Sequence, residues 1–263
     1  MRRFAAAMLA MIGLLNGQSA QKFEVASITP SQPGQIRYGI RPAPGGERYL
    51  ASNVSLKIMI TVAYRIRAEQ VSGGPAWMDS EGFDMNAKAE RPSSLEELHA
   101  MLQDLLADRF KLRFHRESKE MPMYALTVDK DGPKLTPHEA RSAGDPWIEP
   151  KVDPSSDGRL KMTWHATFAP MDFFAWRLSS FMDRPVVDET NLKGSYDFDL
   201  SFIQELPQPQ GGPAGTVVLP GRLDGSNSTI AESMRQQLGL RLERQKGPVE
   251  ILVIDQAEKP VEN

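Results

Sequence analysis

Cysteine is absent from this sequence of 263 residues, and histidine occurs only four times. Without thiols the chain can form no disulfide, carry no lipid-modified cysteine and offer no thiolate metal ligand. The histidines are also scattered, and no motif places two of them at the spacing of metal ligands on one face. They are His99, His115, His138 and His165. We therefore expect no metal site.

The best pair of metal ligands is His115 with Glu117, because alternate residues of a strand share one face. We interpret His115 as a rim histidine near a salt bridge. Motifs for cofactor binding and nucleophilic catalysis are also lacking. The stretch GGPAG at 211–215 lacks the Lys-Ser/Thr of a phosphate-binding loop, and neither a dinucleotide fingerprint nor a G-x-S-x-G motif occurs. We expect no cofactor and assign no catalytic residue.

Clusters of basic residues are missing as well. The formal net charge is −3, and Lys and Arg are spread along the chain. Proteins that bind nucleic acid concentrate positive charge on one face, because they neutralise phosphates. Nucleic acid is therefore not an expected partner.

The apolar run FAAAMLAMIGLL follows Arg2 and Arg3 and precedes the small polar stretch NGQSA. This order is typical of a secretory signal peptide. The alternative, a membrane anchor, needs about 20 apolar residues, and the run is well short of that. We therefore predict a signal peptide over 1–20, cleaved after Ser19 or Ala20, and a periplasmic or extracellular mature protein with no membrane span.

The rest of the chain contains the same order of predicted elements twice. The first unit reads strand, helix and two strands over 45–89, then a helix and two strands over 93–135. The second follows the same plan over 157–202 and 227–260. The sequence thus predicts an α+β protein of two duplicated β-α-β-β-α-β-β units, with mainly antiparallel sheets and helices packed on one face.

We divide the chain accordingly. The first repeat unit covers 21–135, a linker covers 136–159, and the second unit covers 160–263 with a flexible insertion at about 203–228. The linker and the insertion are rich in Pro, Gly and polar residues, so we expect mobile surface segments there. TVVLP, inside the insertion, can dock as an extra strand.

Two predicted helices have clear signatures. Ser94 and Glu97 form a capping box at the start of the longest one. In the second unit, Pro170 suits a first helical turn. The residues that follow it at helical spacing are Phe173, Phe174, Arg177, Leu178 and Phe181.

Each unit also contains a strand with an aromatic residue, an aspartate and an apolar residue in succession. These are Phe83–Asp84–Met85 in EGFDMNAKA and Tyr196–Asp197–Phe198 in GSYDFDLSF. Alternation along a strand predicts that the large residues face the helices, while the aspartates face water or a hairpin partner. The alternative is that the two aspartates are halves of a catalytic dyad.

Several motifs together resemble one known family. They are FEVASITPS, NVSLKIMITVAY, VSGGPAWMDSEGFDMNAKA, LLADRFKLRFHRESKEMPMYALTVDKDGPKL, RPVVDETNLKGSYDFDL and GPVEILVIDQAEKPVEN. They resemble an uncharacterised exported protein family expanded in acidobacterial soil organisms, whose domain is sometimes fused behind BlaR-type metallopeptidases. The resemblance implies a stand-alone member and no known activity. RPVVDETNLKGSYDFDL is also similar, more weakly, to the short N-terminal domain of secretins and TonB-dependent transducers.

The loop SGGPAWMDS at 72–80 is the candidate binding site. Its residues Gly73, Gly74 and Pro75 predict a tight turn, and Trp77 follows at once. Trp77 is either a recognition aromatic or a lid that folds back onto the core. We expect an exported, non-catalytic module that docks a protein, a peptide or an envelope component through this loop or a sheet edge.

Two other functions remain open at this point. A hydrolase would use acidic residues that converge between the two halves, and the available carboxylates are Asp79, Asp84, Asp188 and Asp197. An accessory sensor for a membrane metallopeptidase is suggested by the fusions of the family alone.

Overall fold

The computed structural model describes residues 22–32, 34–35, 38–138, 146–154, 159–205 and 229–260. The predicted signal peptide, TVVLP and most of the predicted insertion lie outside these residues. Within them the chain is α+β, as predicted, with five α-helices and twelve strands. No helix of the described ranges is both long and apolar enough to cross a membrane.

The first half contains ten elements before residue 130. In chain order they are β1 (Val25–Pro30), β2 (Gly39–Pro42), β3 (Arg48–Ser55), α1 (Leu56–Ala63), a 3-10 turn (Ala68–Gln70), β4 (Val71–Gly73), α2 (Trp77–Ser80), β5 (Gly82–Lys88), α3 (Leu95–Arg109) and β6 (Arg113–Val128). The second half has β7 (Thr136–Pro137), β8 (Trp147–Pro154), β9 (Arg159–Pro170), α4 (Met171–Ser179), β10 (Val186–Asp188), β11 (Ser195–Glu205), α5 (Thr229–Ser233), a π-helical turn (Met234–Leu238) and β12 (Leu240–Gln256).

These strands form three four-stranded sheets. The first outer sheet has the order β1-β5-β3-β2, the second outer sheet has the order β7-β11-β9-β8, and the central sheet has the order β10-β6-β12-β4. Pairing is antiparallel except at the two edges of the central sheet, where β10 lies parallel to β6 and β4 parallel to β12. The prediction of mainly antiparallel sheets is confirmed.

Six elements follow the same order in the two halves, although α2, between β4 and β5, has no counterpart between β10 and β11. The series β3, α1, β4, β5, α3, β6 matches β9, α4, β10, β11, α5, β12. The strands that carry the repeated aspartates, β5 and β11, each occupy the second position of an outer sheet. The duplication itself stays a prediction, since a shared order of elements is not a superposition.

The last two strands predicted in each unit are one continuous strand. β6 and β12 pair antiparallel along almost their whole length, with Pro122 opposite Lys246 and Pro248 opposite Glu120. β10 and β4 flank this ribbon only near its two ends. A proline is tolerated in the middle because each strand has a neighbour on one side only there, so at most one ladder bond is lost.

The predicted linker contains two strands, β7 and β8, so part of it forms regular structure, and its mobility stays a prediction. β8 lies in this stretch and pairs with β9 along its length. Ile148 anchors β8, because its side chain is buried in the second core. Pro150 fits in β8 because this is an edge strand, where one side of the backbone needs no partner. The boundaries of the repeat units stay a prediction.

Each half contributes a strand to the hydrophobic core of the other. The first core draws on residues 28–112 and is completed by Leu252 and Ile254 of β12. The second core draws on 148–240 and is completed by Leu95 of α3 and by Tyr124 and Leu126 of β6. Neither core is therefore built from one half of the sequence alone.

Arg67 adds a polar link between the halves. Its buried guanidinium donates to the backbone carbonyls of Ser179, Met182 (2.7 Å) and Arg184 (3.2 Å) around the C-terminal end of α4. Carbonyls at a helix end have no partner within the helix, and a cation there also complements the helix dipole.

Candidate functional site

The first repeated aspartate holds a bulge in the neighbouring strand. The pairing of β3 with β5 shifts register between Ala51 and Val54, and Asn53 there has a φ of 52°. Asp84 accepts the Asn53 backbone N–H at 2.8 Å and the Ser31 hydroxyl at 2.9 Å. Partial burial opposes ionisation, but these hydrogen bonds outweigh it and lower the pKa of Asp84.

The second repeated aspartate has the same role in the other outer sheet. Phe168 has a φ of 51°, which is rare for a bulky residue, and its N–H donates to Asp197 at 2.8 Å. His138 lies 2.8 Å from the same carboxylate. Burial acts against the charge, yet the bonds from Phe168 and His138 lower the pKa of Asp197. Both aspartates thus bond the backbone of a bulge in the neighbouring antiparallel strand. That strand is not a hairpin partner, because other elements lie between the two in the chain.

The other two candidate carboxylates also have local partners. Asp79 forms an ion pair with Lys57 at 3.1 Å, and Asp188 accepts the N–H and hydroxyl of Thr190. A cavity lies between the two cores, and none of the four predicted aspartates lines it. These four aspartates therefore do not meet there, and a hydrolase activity stays a prediction.

The predicted binding loop lies against the first core. Gly73 pairs with Ile254 in the central sheet, while Gly74 and Pro75 lead into α2. Trp77 stacks on Phe110 at 6.3 Å and meets Phe83 edge-on at 6.2 Å. This position matches the lid alternative, and a binding role for the loop stays a prediction.

His115 lies on the exposed face of the central ribbon. Its two ring nitrogens are 2.8 Å from Asp255 and 3.1 Å from Glu117. The described part of the chain contains no group of three or more side chains arranged to hold a metal ion.

A cleft of about 770 Å³ lies between the two cores. The first half contributes β2, the β2–β3 turn and parts of α1 and α3 to its lining, and the second half contributes β8 and α4. The walls are mainly apolar and aromatic. Their rings belong to Tyr49, Trp147, Phe173 and Trp176. The volume is in the usual range for ligand sites, which also tend to lie between domains.

A buried polar chain forms one wall of the cleft. Arg65 donates from Nε to His99 Nδ1 at 3.3 Å, so Nε2 carries the proton and donates to the Tyr49 hydroxyl at 3.0 Å. Burial, with a smaller effect of the Arg65 charge, lowers the pKa of His99 to about 4. Burial likewise raises the pKa of Tyr49. Both residues are therefore neutral at pH 7.

Two arginines supply the charge of the cleft. Arg177 is partly buried in α4, and its guanidinium lies 5.7 Å from the Trp176 ring centre. Arg41 is exposed on β2. Neither side chain makes an ion pair or hydrogen bond with a described residue, and no Asp or Glu of the described chain lines the cleft. The cleft is thus apolar and positively charged.

Two strands that lie at sheet edges in the described chain also border the cleft. β2 is the edge strand of the first outer sheet, and β8 is the edge strand of the second. Ile40 to Pro42 of β2 and Trp147, Ile148 and Pro150 of β8 line the cleft. An edge strand leaves backbone N–H and C=O groups free to pair with another chain.

A family model described as a protein of unknown function, DUF3738, matches residues 57–257. The chain belongs to this family. No curated protein and no solved structure matches it significantly. The matched range includes α3, β8 and α4, so it covers most of the cleft but excludes β2.

The sequence of this DUF3738 protein did not lead to a prediction of the cleft. One signal was present: Arg177 interrupts an apolar stripe of α4, a position where a charge is costly unless it has a partner or a function. No sequence pattern indicated that β2 and β8 border the same cleft, because this depends on how the two cores are placed.

Proposed function

We propose that this chain is a non-catalytic binding module that holds an extended peptide segment in the cleft between its two cores. The observation that carries the proposal is the pair of edge strands, β2 and β8, on the border of one apolar cleft. A peptide that adds to a sheet edge gains backbone hydrogen bonds there, and neighbouring pockets select its side chains.

The chemistry of the cleft supports binding over catalysis. Burial, and to a smaller extent the Arg65 charge, keeps His99 neutral, and it bonds Tyr49 rather than a nucleophile. A general base needs a pKa near the working pH and a reacting group within hydrogen-bond reach. Ser93, which also lines the cleft, donates its hydroxyl proton to the Arg91 carbonyl instead.

The test is binding of a fluorescein-labelled pool of apolar hexapeptides, measured by anisotropy on the purified mature chain. Trp147 is 53% exposed and lines the cleft, whereas Val152 is 48% exposed on the same strand and does not. We expect Trp147→Ala to weaken binding roughly tenfold or more and Val152→Ala to leave it unchanged. Absence of binding, or equal effects of the two variants, would contradict the proposal.

The same assay tests the loop predicted from the sequence. If Gly73, Gly74, Pro75 and Trp77 form the docking site, Trp77→Ala should abolish binding while Trp147→Ala has no effect. The cleft proposal predicts the reverse, with weaker binding for Trp147→Ala than for Trp77→Ala.

We also propose that the module is exported. The basic, apolar and small-residue segments of residues 1–20 support it. Mass spectrometry of the protein recovered outside the cytoplasm should find a new N-terminus near residue 20 or 21. A recovered protein that still carries Met1 to Leu15 would contradict export.

A further inference from the structure

Arg177 is a positively charged residue of the cleft that has no anionic partner among the described residues. It lines an apolar wall of the cleft, partly buried beside Trp176, and it makes no ion pair with any residue that the structure describes. A guanidinium that has lost part of its water and gained no carboxylate is unfavourable by itself. A bound anionic group would supply the missing partner.

The other charges of the cleft favour the same sign of ligand. Arg41 is exposed and unpaired among the described residues. Arg65 is occupied by His99 and by the Phe173 ring, whose centre lies 5.6 Å from its guanidinium carbon. Glu149 is next to two lining residues of β8 but does not itself line the cleft. The arginines would therefore repel a positively charged ligand.

We propose that the ligand is an apolar peptide that ends in the cleft, and that Arg177 binds its free C-terminal carboxylate. This inference rests on the proposed peptide binding. A carboxylate presents two oxygens in one plane, which matches the paired donors of a guanidinium. A cavity of about 770 Å³ has room for a few residues, which is enough for the C-terminal end of a peptide.

The experiment compares two pools of apolar hexapeptides that differ only at the C-terminus, one with a free carboxylate and one with an amide. We expect the amide pool to bind the mature chain roughly ten- to a hundredfold more weakly, since it loses a charge-assisted hydrogen bond. Arg177→Gln should remove most of this difference. The control is Arg113→Gln, which changes an exposed arginine of β6 outside the cleft and should preserve it.

Each result separates the two proposals. Equal binding of acid and amide pools to the wild type overturns the inference but leaves peptide binding intact, whereas no binding of either pool overturns both. An amidated pool with one internal glutamate that binds as tightly as the acid pool shows that the carboxylate need not be terminal, and overturns the inference. Displacement of the acid pool by palmitate at lower concentration would assign the carboxylate to a lipid.

Thermal melts of Arg177→Gln and Arg177→Lys establish that the variants fold, and Arg177→Lys should retain part of the discrimination.

Discussion

The pH dependence of stability gives a sharp test of the polar chain at the cleft wall. His99 is 4% exposed, and its pKa falls from 6.5 to about 4 in the folded protein. Between these two values the unfolded chain binds a proton at His99 and the folded chain does not. Stability therefore decreases as pH falls below about 6.5, and this contribution levels off below about 4.

The size of the effect follows from the two pKa values. One pKa unit corresponds to about 1.4 kcal/mol, so the full decrease in the free energy of unfolding is about 3 kcal/mol. The replacement His99→Gln removes the titration while keeping a donor and an acceptor for Arg65 and Tyr49. We expect this variant to be less stable than the wild type at pH 7 and to lose less stability on acidification.

The assay is urea unfolding followed by tryptophan fluorescence at several pH values between 7.5 and 4. The informative quantity is the difference in the free energy of unfolding between wild type and His99→Gln, because all other titratable groups contribute equally to both. His115 is the control: its hydrogen bonds with Glu117 and Asp255 raise its pKa. The stabilising contribution of His115 is complete below about pH 6.5 and is lost as pH rises through its pKa in the folded protein. This pH dependence has the opposite sign to that of His99. A difference between wild type and His99→Gln that stays constant from pH 7 to 4 would refute the reasoning.

Three further predictions concern stability, each measured by urea unfolding. Asp84→Ala and Asp197→Ala should each cost about 1–3 kcal/mol, because each strands the amide of a bulge residue, and the asparagine variants should cost less; equal stability of alanine variant and wild type would contradict this. Phe198→Ala should cost about 3–5 kcal/mol as a truncation in the second core, whereas Asp199→Ala, 71% exposed at its side chain, should change stability by no more than about 0.5 kcal/mol; similar losses would show that the strand faces are misassigned. Arg67→Met should cost about 3 kcal/mol, because it leaves carbonyls at the end of α4 without donors; a neutral effect would show that water replaces the guanidinium there.

Local signals in the sequence predicted much of the fold. The capping box is present, since Ser94 Oγ accepts the Glu97 N–H at 3.1 Å and Glu97 accepts the Ser94 N–H at 2.8 Å. Ser55, at the start of α1, accepts the Ile58 N–H. Such features depend on residues a few positions apart, so they can be read directly from the chain.

Features that depend on distant pairing were not predictable in this way. Two strands were predicted after the last helix of each unit, but each pair is one long strand; Pro122 and Pro248 are tolerated in it because the ribbon lacks a third strand at its centre. The cleft depends on which strands become edges, and that is decided by the whole topology. Arg177 was visible as a charge in an apolar stripe, yet only the fold shows that it faces a cavity.

The exchange of strands bears directly on how the cleft can bind. β6 and β12 each cross from one core to the other, and Arg67 of the first half is bonded to the end of α4 in the second. Separating the cleft walls would require breaking the central ladder and exposing Leu252, Ile254, Tyr124 or Leu126 to water, which is costly for buried apolar side chains. The edges β2 and β8 are therefore held in place before any ligand arrives. A site formed in advance does not have to be ordered on binding, so more of the contact energy contributes to affinity.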